Sequence, residues 1–445
     1  MSFIIGANSA VGGGYDVDNS CNFELGSLHK SVSTPSTTFT ISVWVKLSNQ
    51  YVNSSSIGQR YFWTGGGAGG ASGAKWNSGN TGLLDFYNEG TGHVDDGTDR
   101  QYSDPSAWYH WVWKNSGGTG TLYVNGVQQG STFSMGPLIG SGGPAVINIG
   151  RYGADTVYAP MTLAEFVYLD GTAATPTSFG EFDEDSGIWK PIDVSGLTFG
   201  TNGFHLDFSN ASALGTDANG GTTLTTTATL SQLTDSPTNN FATLNPLNYT
   251  STAIPYSKGN TYGTFPGAWM ASLPTIGLTN GKWFWEAKLN SGNDANMFYG
   301  VAREGIDLDT SPQNQTGVIV QKNDGDRYVD GSYSAGAAES IASGNTLGVA
   351  LDLDSGTKTI KFYKNGTLLS SGSSINLTSN FDGYTLFPIF IGNSSSATAE
   401  WQTNFGNPAY AISSGNADGN GYGNFEYAVP SGYFALCTKN LAEYG

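Results

Sequence analysis

The sequence is poor in charged residues and in cysteine. Only 12% of its 445 residues are Asp, Glu, Lys or Arg, about half the share found in ordinary soluble domains. Its 18 basic and 36 acidic residues give a formal net charge of −18, which would repel nucleic-acid phosphates. The two cysteines, Cys21 and Cys437, lie near opposite ends of the chain and offer neither a disulfide framework nor a metal-ligand spacing. We therefore expect no nucleic-acid partner.

Long hydrophobic runs are also missing. No apolar segment approaches the ~20 residues that a membrane span needs. The first six residues, Met-Ser-Phe-Ile-Ile-Gly, lack the basic start and the apolar length of a signal peptide. We therefore expect neither membrane insertion nor secretion by that route.

Glycine and aromatic residues are abundant instead. The 63 glycines are roughly twice the usual share, and helix interiors tolerate glycine badly. Aromatic residues make up 13% of the chain and can supply large cores, which argues against disorder. This composition predicts an all-β protein rich in turns.

Alternating strands and tight turns extend along both halves. Residues 39–46 place Phe39, Ile41, Val43 and Val45 on one face of a strand. Two Asn-Gly pairs, at 125–126 and 365–366, predict type I′ hairpins between apolar strands. The Thr-rich segment 220–234 has no aromatic residue and is predicted to be a linker. We therefore expect two antiparallel β-sandwich (jelly-roll) domains, 1–219 and 235–445.

Each half resembles a known domain family. The first resembles a laminin-G-like, concanavalin-type jelly roll in Ile41–Lys46, Trp108–Trp111, Leu122–Gly126, Ile149–Arg151 and Leu163–Phe166. The second resembles a SPRY (B30.2-like) sandwich in Gly281–Glu286, Tyr299–Ala302, Leu347–Asp352 and Phe362–Gly366.

The segments that join these elements resemble a group of tailed-phage proteins, especially from marine and cyanobacterial phages. They are Gly180–Pro191, Gly200–Phe208, Asp235–Pro246 and Gly432–Thr438. The resemblance implies a virion structural protein, assembled in the host cytoplasm and exposed on the particle, most often a tail-fibre or host-attachment component. It implies other virion proteins and host-surface polysaccharide as partners, and a homo-oligomer, trimeric as in phage fibres. A capsid decoration or head-fibre protein is one alternative, and a polysaccharide depolymerase is another.

The best enzymatic candidate is the acidic trio Glu181, Asp183 and Asp185. Laminarinase-like glycosidases share the concanavalin fold and carry alternating carboxylates on one strand, one as nucleophile and one as acid. Here the third acid is Asp rather than Glu, and the polar Glu184 stands where a strand would want an apolar residue. The four histidines are far apart, and no Walker or nucleophile-elbow string occurs. We therefore expect a solvated acidic loop and a protein that is not an enzyme.

Calcium and sugars are the remaining ligand hypotheses. The acidic clusters Asp95–Asp99, Asp324–Asp326 and Asp352–Asp354 offer oxygen ligands without EF-hand spacing, and Asp-Gly turns are the favoured interpretation. We expect no cofactor, with calcium as the open alternative.

Exposed aromatic residues are the sequence's candidates for sugar binding. Trp63 and Trp76 flank the glycine-rich segment 65–73, which would leave a neighbouring ring accessible for stacking. The alternative is that each ring belongs to the core, as we expect for Trp44, Trp111 and Trp283 in strong strands. Trp269 stands in a loop-like segment and is a weaker candidate.

Overall fold

A computed structural model describes residues 14–445, except for the segments 49–59, 67–71, 78–82, 89–91, 95–97, 99, 103, 139–144, 153–157, 249, 251–252, 266–268, 292–295, 370–373 and 394–398. The chain divides into two compact units between Asn239 and Asn240. Both units are built from β-sheets in which all but one of the described strand pairs are antiparallel, which confirms the predicted all-β class with two β-sandwiches.

The first unit contains two large sheets. Its described strands are β1 (Ser20–Asn22), β2 (Ser27–Ser31), β3 (Phe39–Leu47), β4 (Arg60–Gly65), β5 (Ser72–Asn77), β6 (Leu83–Asn88), β7 (Gly92–Val94), β8 (Trp108–Ser116), β9 (Thr119–Val124), β10 (Val127–Ser134), β11 (Val146–Ile149), β12 (Met161–Asp170), β13 (Gly180–Phe182), β14 (Trp189–Pro191), β15 (Phe204–Leu206), β16 (Thr225–Thr227) and β17 (Ser231–Leu233). One sheet has the order β10-β9-β8-β3-β12-β1-β17, with β15 beside β12. The other has the order β16-β2-β11-β4-β5-β6-β7, and β13 and β14 form a separate hairpin.

The core of this unit lies between the two sheets. Phe39, Ile41, Val43 and Val45 of β3 are all fully buried in it, as their alternation predicts. The opposite face of the same sheet is also covered, because residues between Phe179 and Phe199 pack onto it and form two smaller apolar clusters. The segment after β12 is thus part of the sandwich.

The Thr-rich segment 220–234 differs from the linker that we expected. It contributes β16, which pairs with β2, and β17, which pairs with β1. Just beyond it, the buried Asp235 carboxylate forms an ion pair with Lys46 at 2.8 Å. Thr favours strand conformation because it is β-branched, and strands at the edge of a sheet need no large aromatic residue. The first unit therefore continues to Asn239, past the expected boundary.

The second unit, Asn240–Gly445, also contains two sheets. Its described strands are β18 (Tyr256–Ser257), β19 (Tyr262–Phe265), β20 (Met270–Ser272), β21 (Lys282–Ser291), β22 (Asn296–Arg303), β23 (Val318–Lys322), β24 (Arg327–Val329), β25 (Ser332–Ser334), β26 (Thr346–Asp352), β27 (Thr359–Lys364), β28 (Thr367–Leu368), β29 (Ile375–Asn376), β30 (Leu386–Asn393), β31 (Ala399–Asn404) and β32 (Phe434–Ala435). One sheet has the order β18-β19-β31-β21-β26-β27-β28, with β29 beside β27 and β32 beside β21. The other has the order β20-β30-β22-β23-β24-β25.

Helical structure is confined to short pieces in the described chain. Within the described segments, three 3-10 turns occur at Pro176–Ser178, Pro312–Asn314 and Ser379–Phe381, and one α-helix, α1, spans Thr438–Tyr444. Among the described residues, no helix is long and apolar enough to cross a membrane.

Both predicted Asn-Gly hairpins are present. Asn125 and Gly126 have φ of 48° and 79°, and Asn365 and Gly366 have φ of 47° and 75°. Positive φ at both central positions is the type I′ requirement, which Asn and Gly meet at the lowest cost.

Candidate binding site

An open polar cleft of about 540 Å³ lies in the first unit. Three segments line it: residues 30–33 at the end of β2, residues 200–203 before β15, and residues 217–222 after β15. Its volume falls within the ~300–1,000 Å³ that is usual for small-ligand sites. The geometry of the three segments determines which chemical groups face the cleft.

Asn202 connects two of these segments. Its Nδ2 donates to the Ser33 carbonyl and to Asp170 Oδ2, both at 2.8 Å, and its Oδ1 accepts from the Ser33 N–H at 2.9 Å. Gly200 allows the approach, because it has φ of 77° and a Cβ there would lie 2.0 Å from the Asp170 carbonyl oxygen. This wall of the cleft is therefore held in place by a buried amide.

Asp217 is the buried carboxylate of the cleft. Its Oδ1 accepts hydrogen bonds from the His205 and Asn219 N–H groups, each at 3.0 Å. Its Oδ2 is buried and has no hydrogen-bond partner within the described residues. Gly221 passes so close that a Cβ would lie 2.2 Å from Oδ2, so only glycine fits there. A buried carboxylate oxygen without a partner is costly, and an ordered water or a ligand group that donates to it would remove that cost.

A buried pair of Glu165 on β12 and His205 on β15 lies next to Asp217. His205 Nε2 lies 2.8 Å from Glu165 Oε2, which also accepts from the Tyr15 hydroxyl at 3.4 Å. Glu165 has φ of 48° and lies where the register of β3 and β12 shifts, a β-bulge that turns its side chain towards His205. Burial lowers the pKa of His205, but its hydrogen bond to Glu165 and the neighbouring acidic charges outweigh burial and raise it. Glu165 therefore favours the protonated imidazole of His205. His205 lies in β15, and its backbone N–H is one of the groups that hold Asp217 in place.

Lys30 supplies a positive charge on the β2 side of the cleft. Its ammonium lies 5.2 Å from the centroid of the Phe204 ring. Burial lowers the pKa of Lys30, while the charge of Asp217 acts in the opposite direction. Thr201, Asn219 and Thr222 add hydroxyl and amide groups to the lining. The cleft therefore offers hydrogen-bond donors and acceptors but little apolar surface.

Two family models match this chain. Residues 26–172 match the concanavalin A-like lectin/glucanases superfamily, in its laminin-G-type model, and residues 282–408 match the SPRY domain. The chain carries a concanavalin A-like domain and a SPRY domain. No curated protein matches the sequence.

Solved structures with similar chains have low identity. The SPRY domain of human HERC1 is 18% identical, with 36% of this chain and 96% of that chain covered and a TM-score of 0.30. A heptameric SAP-like pentraxin from Limulus polyphemus is 15% identical, with 36% and 78% covered and a TM-score of 0.28. Domain 4 of an extracellular arabinanase from Geobacillus stearothermophilus, solved with arabinotriose, is 16% identical, with 32% and 65% covered and a TM-score of 0.25.

The two tryptophans that the sequence suggested for sugar stacking lie outside the cleft. Trp63 of β4 is fully buried in the core of the concanavalin A-like domain, against Phe39, Phe86 and Trp113. Trp63 is therefore a core residue, and the expectation that its ring is accessible for sugar stacking is wrong. Trp76 belongs to β5, and its side chain lies outside the described residues, so its role in sugar binding stays a prediction.

The acidic trio lies on the β13–β14 hairpin. Glu181 and Asp183 both approach the Lys190 ammonium, at 3.4 and 3.1 Å, while Asp185 is exposed. Hydrogen bonds from Ser186, together with Lys190, lower the pKa of Asp183 to about 2. The general acid of a glycosidase needs a raised pKa, whereas the pKa of Asp183 is lowered. The trio therefore resembles an ion-paired surface loop rather than a glycosidase site.

A buried serine–histidine contact also occurs in this domain. Ser42 Oγ lies 2.7 Å from His110 Nε2, and Trp189 Nε1 donates to His110 Nδ1 at 2.9 Å. Because the indole N–H only donates, Nδ1 must accept, and the ring proton therefore sits on Nε2 and points at Ser42. In this tautomer His110 cannot take the Ser42 proton.

The acidic clusters considered for calcium are occupied by other contacts. In the SPRY domain Asp324 pairs with Lys322, and Asp352 pairs with Lys282 at 3.0 Å. Asp326 and Asp354 accept backbone N–H groups of Gly336 and Gly281. Residues 95–97 and 99 of the third cluster lie outside the described chain. Across the described residues, no group of three or more acidic, His or Cys side chains is arranged for a metal ion.

A buried glutamate of the SPRY domain has no counterpart in the sequence-based candidates. Glu286 of β21 accepts the N–H groups of Glu426 and Tyr427, each at 2.9 Å, as well as Asn404 Nδ2 and the Tyr410 hydroxyl. Burial raises the pKa of Glu286 to about 7, although these four donors favour the carboxylate. Its contacts attach the C-terminal segment to the sheet.

Proposed function

We infer that this chain is a carbohydrate-binding protein that holds a sugar in the cleft of its concanavalin A-like domain. The observation that carries this function is the buried, unpartnered Asp217 Oδ2 in a cleft that the Lys30 side chain also lines. A sugar hydroxyl can donate to the carboxylate and accept from the ammonium, so it satisfies both groups at once. The amides and hydroxyls around them would contact the remaining hydroxyls.

Other ligand classes fit less well. An apolar ligand would leave Asp217 and Lys30 without partners, which costs free energy in a desolvated site. A polyphosphate would meet the Asp217 carboxylate in a chain whose formal net charge is −18. A neutral or zwitterionic sugar avoids both penalties.

The finer proposal is that the protein is a non-enzymatic structural component of a phage virion, a tail-fibre or host-attachment protein. In this function the cleft engages host-surface polysaccharide, and other surfaces join the protein to further virion subunits and to copies of itself. The support is the resemblance of the joining segments to tailed-phage proteins. One of them, Gly200–Phe208, contains both the Asn202 wall of the cleft and His205.

A binding measurement on the full chain tests the cleft. Wild type is screened against immobilised bacterial and algal glycans, and the strongest hit is titrated by calorimetry. Lys30→Met keeps the aliphatic stem and removes the charge, and Asp217→Asn keeps the shape. We expect each variant to weaken binding about 10- to 100-fold, because hydrogen bonds to charged groups contribute about 1.5–3 kcal/mol.

The matched control is Lys114→Met. Lys114 is a partly buried lysine of the same domain that contacts Tyr123 rather than the cleft. It should bind like wild type. Unchanged affinity in both cleft variants, or no glycan bound by wild type, would rule out the cleft as a sugar site. Release of oligosaccharides during the titration would contradict the non-enzymatic function.

A further inference from the structure

Four aromatic rings follow one another across the outer face of the second sheet of the SPRY domain. Ring centroids are 5.9 Å apart from Trp269 to Phe298, 5.6 Å from Phe298 to Tyr328, and 5.2 Å from Tyr328 to Tyr333. We call these four residues the aromatic ledge. Phe298 is the buried member of the ledge, Trp269 and Tyr328 are half-buried, and Tyr333 is 55% exposed.

The strand register explains why the rings share one face. Tyr328 of β24 and Tyr333 of β25 are direct cross-strand partners, and Val320 of β23 lies opposite Tyr328 on the other side. Directly opposed residues project to the same face of a sheet. The β24–β25 turn is Asp330-Gly331, with φ of 50° and 78°, a tight type I′ geometry that holds the two tyrosines side by side.

A polar rim borders the ledge. The Tyr333 hydroxyl donates to Asp326 Oδ2 at 2.8 Å, and Asp326 Oδ1 accepts the Gly336 N–H at 2.9 Å. Asp324 accepts the Asp326 N–H at 3.1 Å and forms an ion pair with Lys322. The rim thus consists of fixed hydrogen-bonding groups, and its lysine charge is already balanced by a carboxylate.

We propose that the aromatic ledge is a second binding site, which takes a neutral polysaccharide chain. A pyranose ring has an apolar face of C–H groups and a rim of hydroxyls, so it can lie flat on the exposed Tyr333 ring, with the Tyr328 ring tilted by 51° beside it, while its hydroxyls contact Asp324 and Asp326. Tyr and Trp rings have an apolar body and a polar edge, so they suit a ligand that is apolar on one face and hydroxylated at its rim. Because Phe298 is buried between them, Trp269 and Tyr328 present separate, partly exposed rings, an arrangement that suits a chain of sugars better than a single small ligand.

The charges of the rim select against other partners. Two carboxylates face the ledge, so anionic lipids, nucleic acids and acidic polysaccharides would be repelled. A cationic peptide would find only one unpaired carboxylate, because Asp324 is engaged by Lys322. The ledge belongs to a different domain from the cleft, so the proposal for the ledge does not depend on sugar binding in the cleft.

Affinity electrophoresis of the full-length protein tests the ledge. Gels contain a soluble neutral glucan, a soluble mannan, or alginate as the acidic probe. We expect a neutral polysaccharide to retard wild type and alginate to leave its mobility unchanged. Tyr328→Ala and Tyr333→Ala should each weaken retardation about three- to tenfold, as expected for loss of one stacked ring.

Three further variants make the outcome decisive. Tyr333→Phe keeps the ring and loses only the hydrogen bond to Asp326, so it should retain most of the affinity. Tyr384→Ala removes a tyrosine that is 41% exposed on the same domain but outside the ledge, and it should behave like wild type. Lys30→Met, in the cleft, should also leave this retardation unchanged. The proposal is overturned if neither neutral polysaccharide retards wild type, if alginate alone does, or if the ledge variants match Tyr384→Ala.

Discussion

Buried histidines in the concanavalin A-like domain have pKa shifts of opposite sign, although they lie on the same sheet face. His110 is fully buried between Trp44 and Trp189, and burial lowers its pKa to about 3. His205 is buried too, but Glu165 at 2.8 Å raises its pKa. The difference lies in the partner, an indole for one and a carboxylate for the other.

The lowered pKa of His110 predicts a loss of stability in mild acid. The unfolded chain takes up a proton at His110 near pH 6.5, whereas the folded state, with a pKa of about 3, does not. The free energy of unfolding should therefore fall as the pH drops below 6.5, by up to about 1.4 kcal/mol per pH unit. His110→Gln should flatten this dependence between about pH 5 and 6.5, as measured by urea unfolding followed by tryptophan fluorescence.

His205 does not interfere with this measurement. Its pKa is raised, so its stabilising contribution is complete below pH 6.5 and is lost only as the pH rises through the higher folded value. The two histidines thus act in separate pH ranges. Equal slopes for wild type and His110→Gln below pH 6.5 would show that His110 is protonated in the folded state.

Strands and hairpins were predictable wherever the signal was local. The alternation in β3 and the Asn-Gly turns identify their own structure within a few residues. The segment 220–234 was misjudged because its partners, β1 and β2, are about two hundred residues earlier in the chain.

This difference predicts where the first domain can be cut. A fragment of residues 12–239 keeps β16 and β17, whereas a fragment of residues 12–219 leaves β1 and β2 as bare sheet edges and removes Asp235. We expect the longer fragment to be soluble and to unfold cooperatively. The shorter one should melt at a lower temperature or aggregate, because unpaired edges invite association. Differential scanning calorimetry and size-exclusion chromatography compare the two.

A point variant separates the strands from the ion pair. Asp235→Asn in the longer fragment removes the carboxylate from this buried ion pair with Lys46, a change that costs about 3–5 kcal/mol in comparable cases. If the shorter fragment were as stable as the longer one, the segment 220–234 would be a linker after all.

For the whole molecule, the kind of domain was predictable and the candidate site was not. Both domain families follow from short strings along the strands, and their resemblance was visible in sequence. The cleft required Lys30 to meet Asn202 and Asp217, three residues that no local pattern connects. The Asp217–Gly221 string carries a turn signal, and only the folded chain shows its carboxylate without a partner.

The two proposed sugar sites on one chain predict behaviour that neither site would have alone. A protein that carries a cleft and an aromatic ledge, repeated in a homo-oligomer, would hold a polysaccharide surface by several weak contacts at once, so its avidity would greatly exceed each affinity. Because the net charge is −18, such binding depends on these contacts rather than on general attraction to an anionic envelope.

That behaviour fits the host-attachment function that we propose, and this function predicts the location of the protein. Gold-labelled antibodies against the chain should decorate the distal tail of intact virions in electron micrographs, and pre-immune antibodies should not. Added antibody fragments should also slow adsorption to host cells, since they cover the contact surfaces. Label restricted to the capsid, with adsorption unaffected, would instead establish a decoration protein whose sugar sites serve another surface.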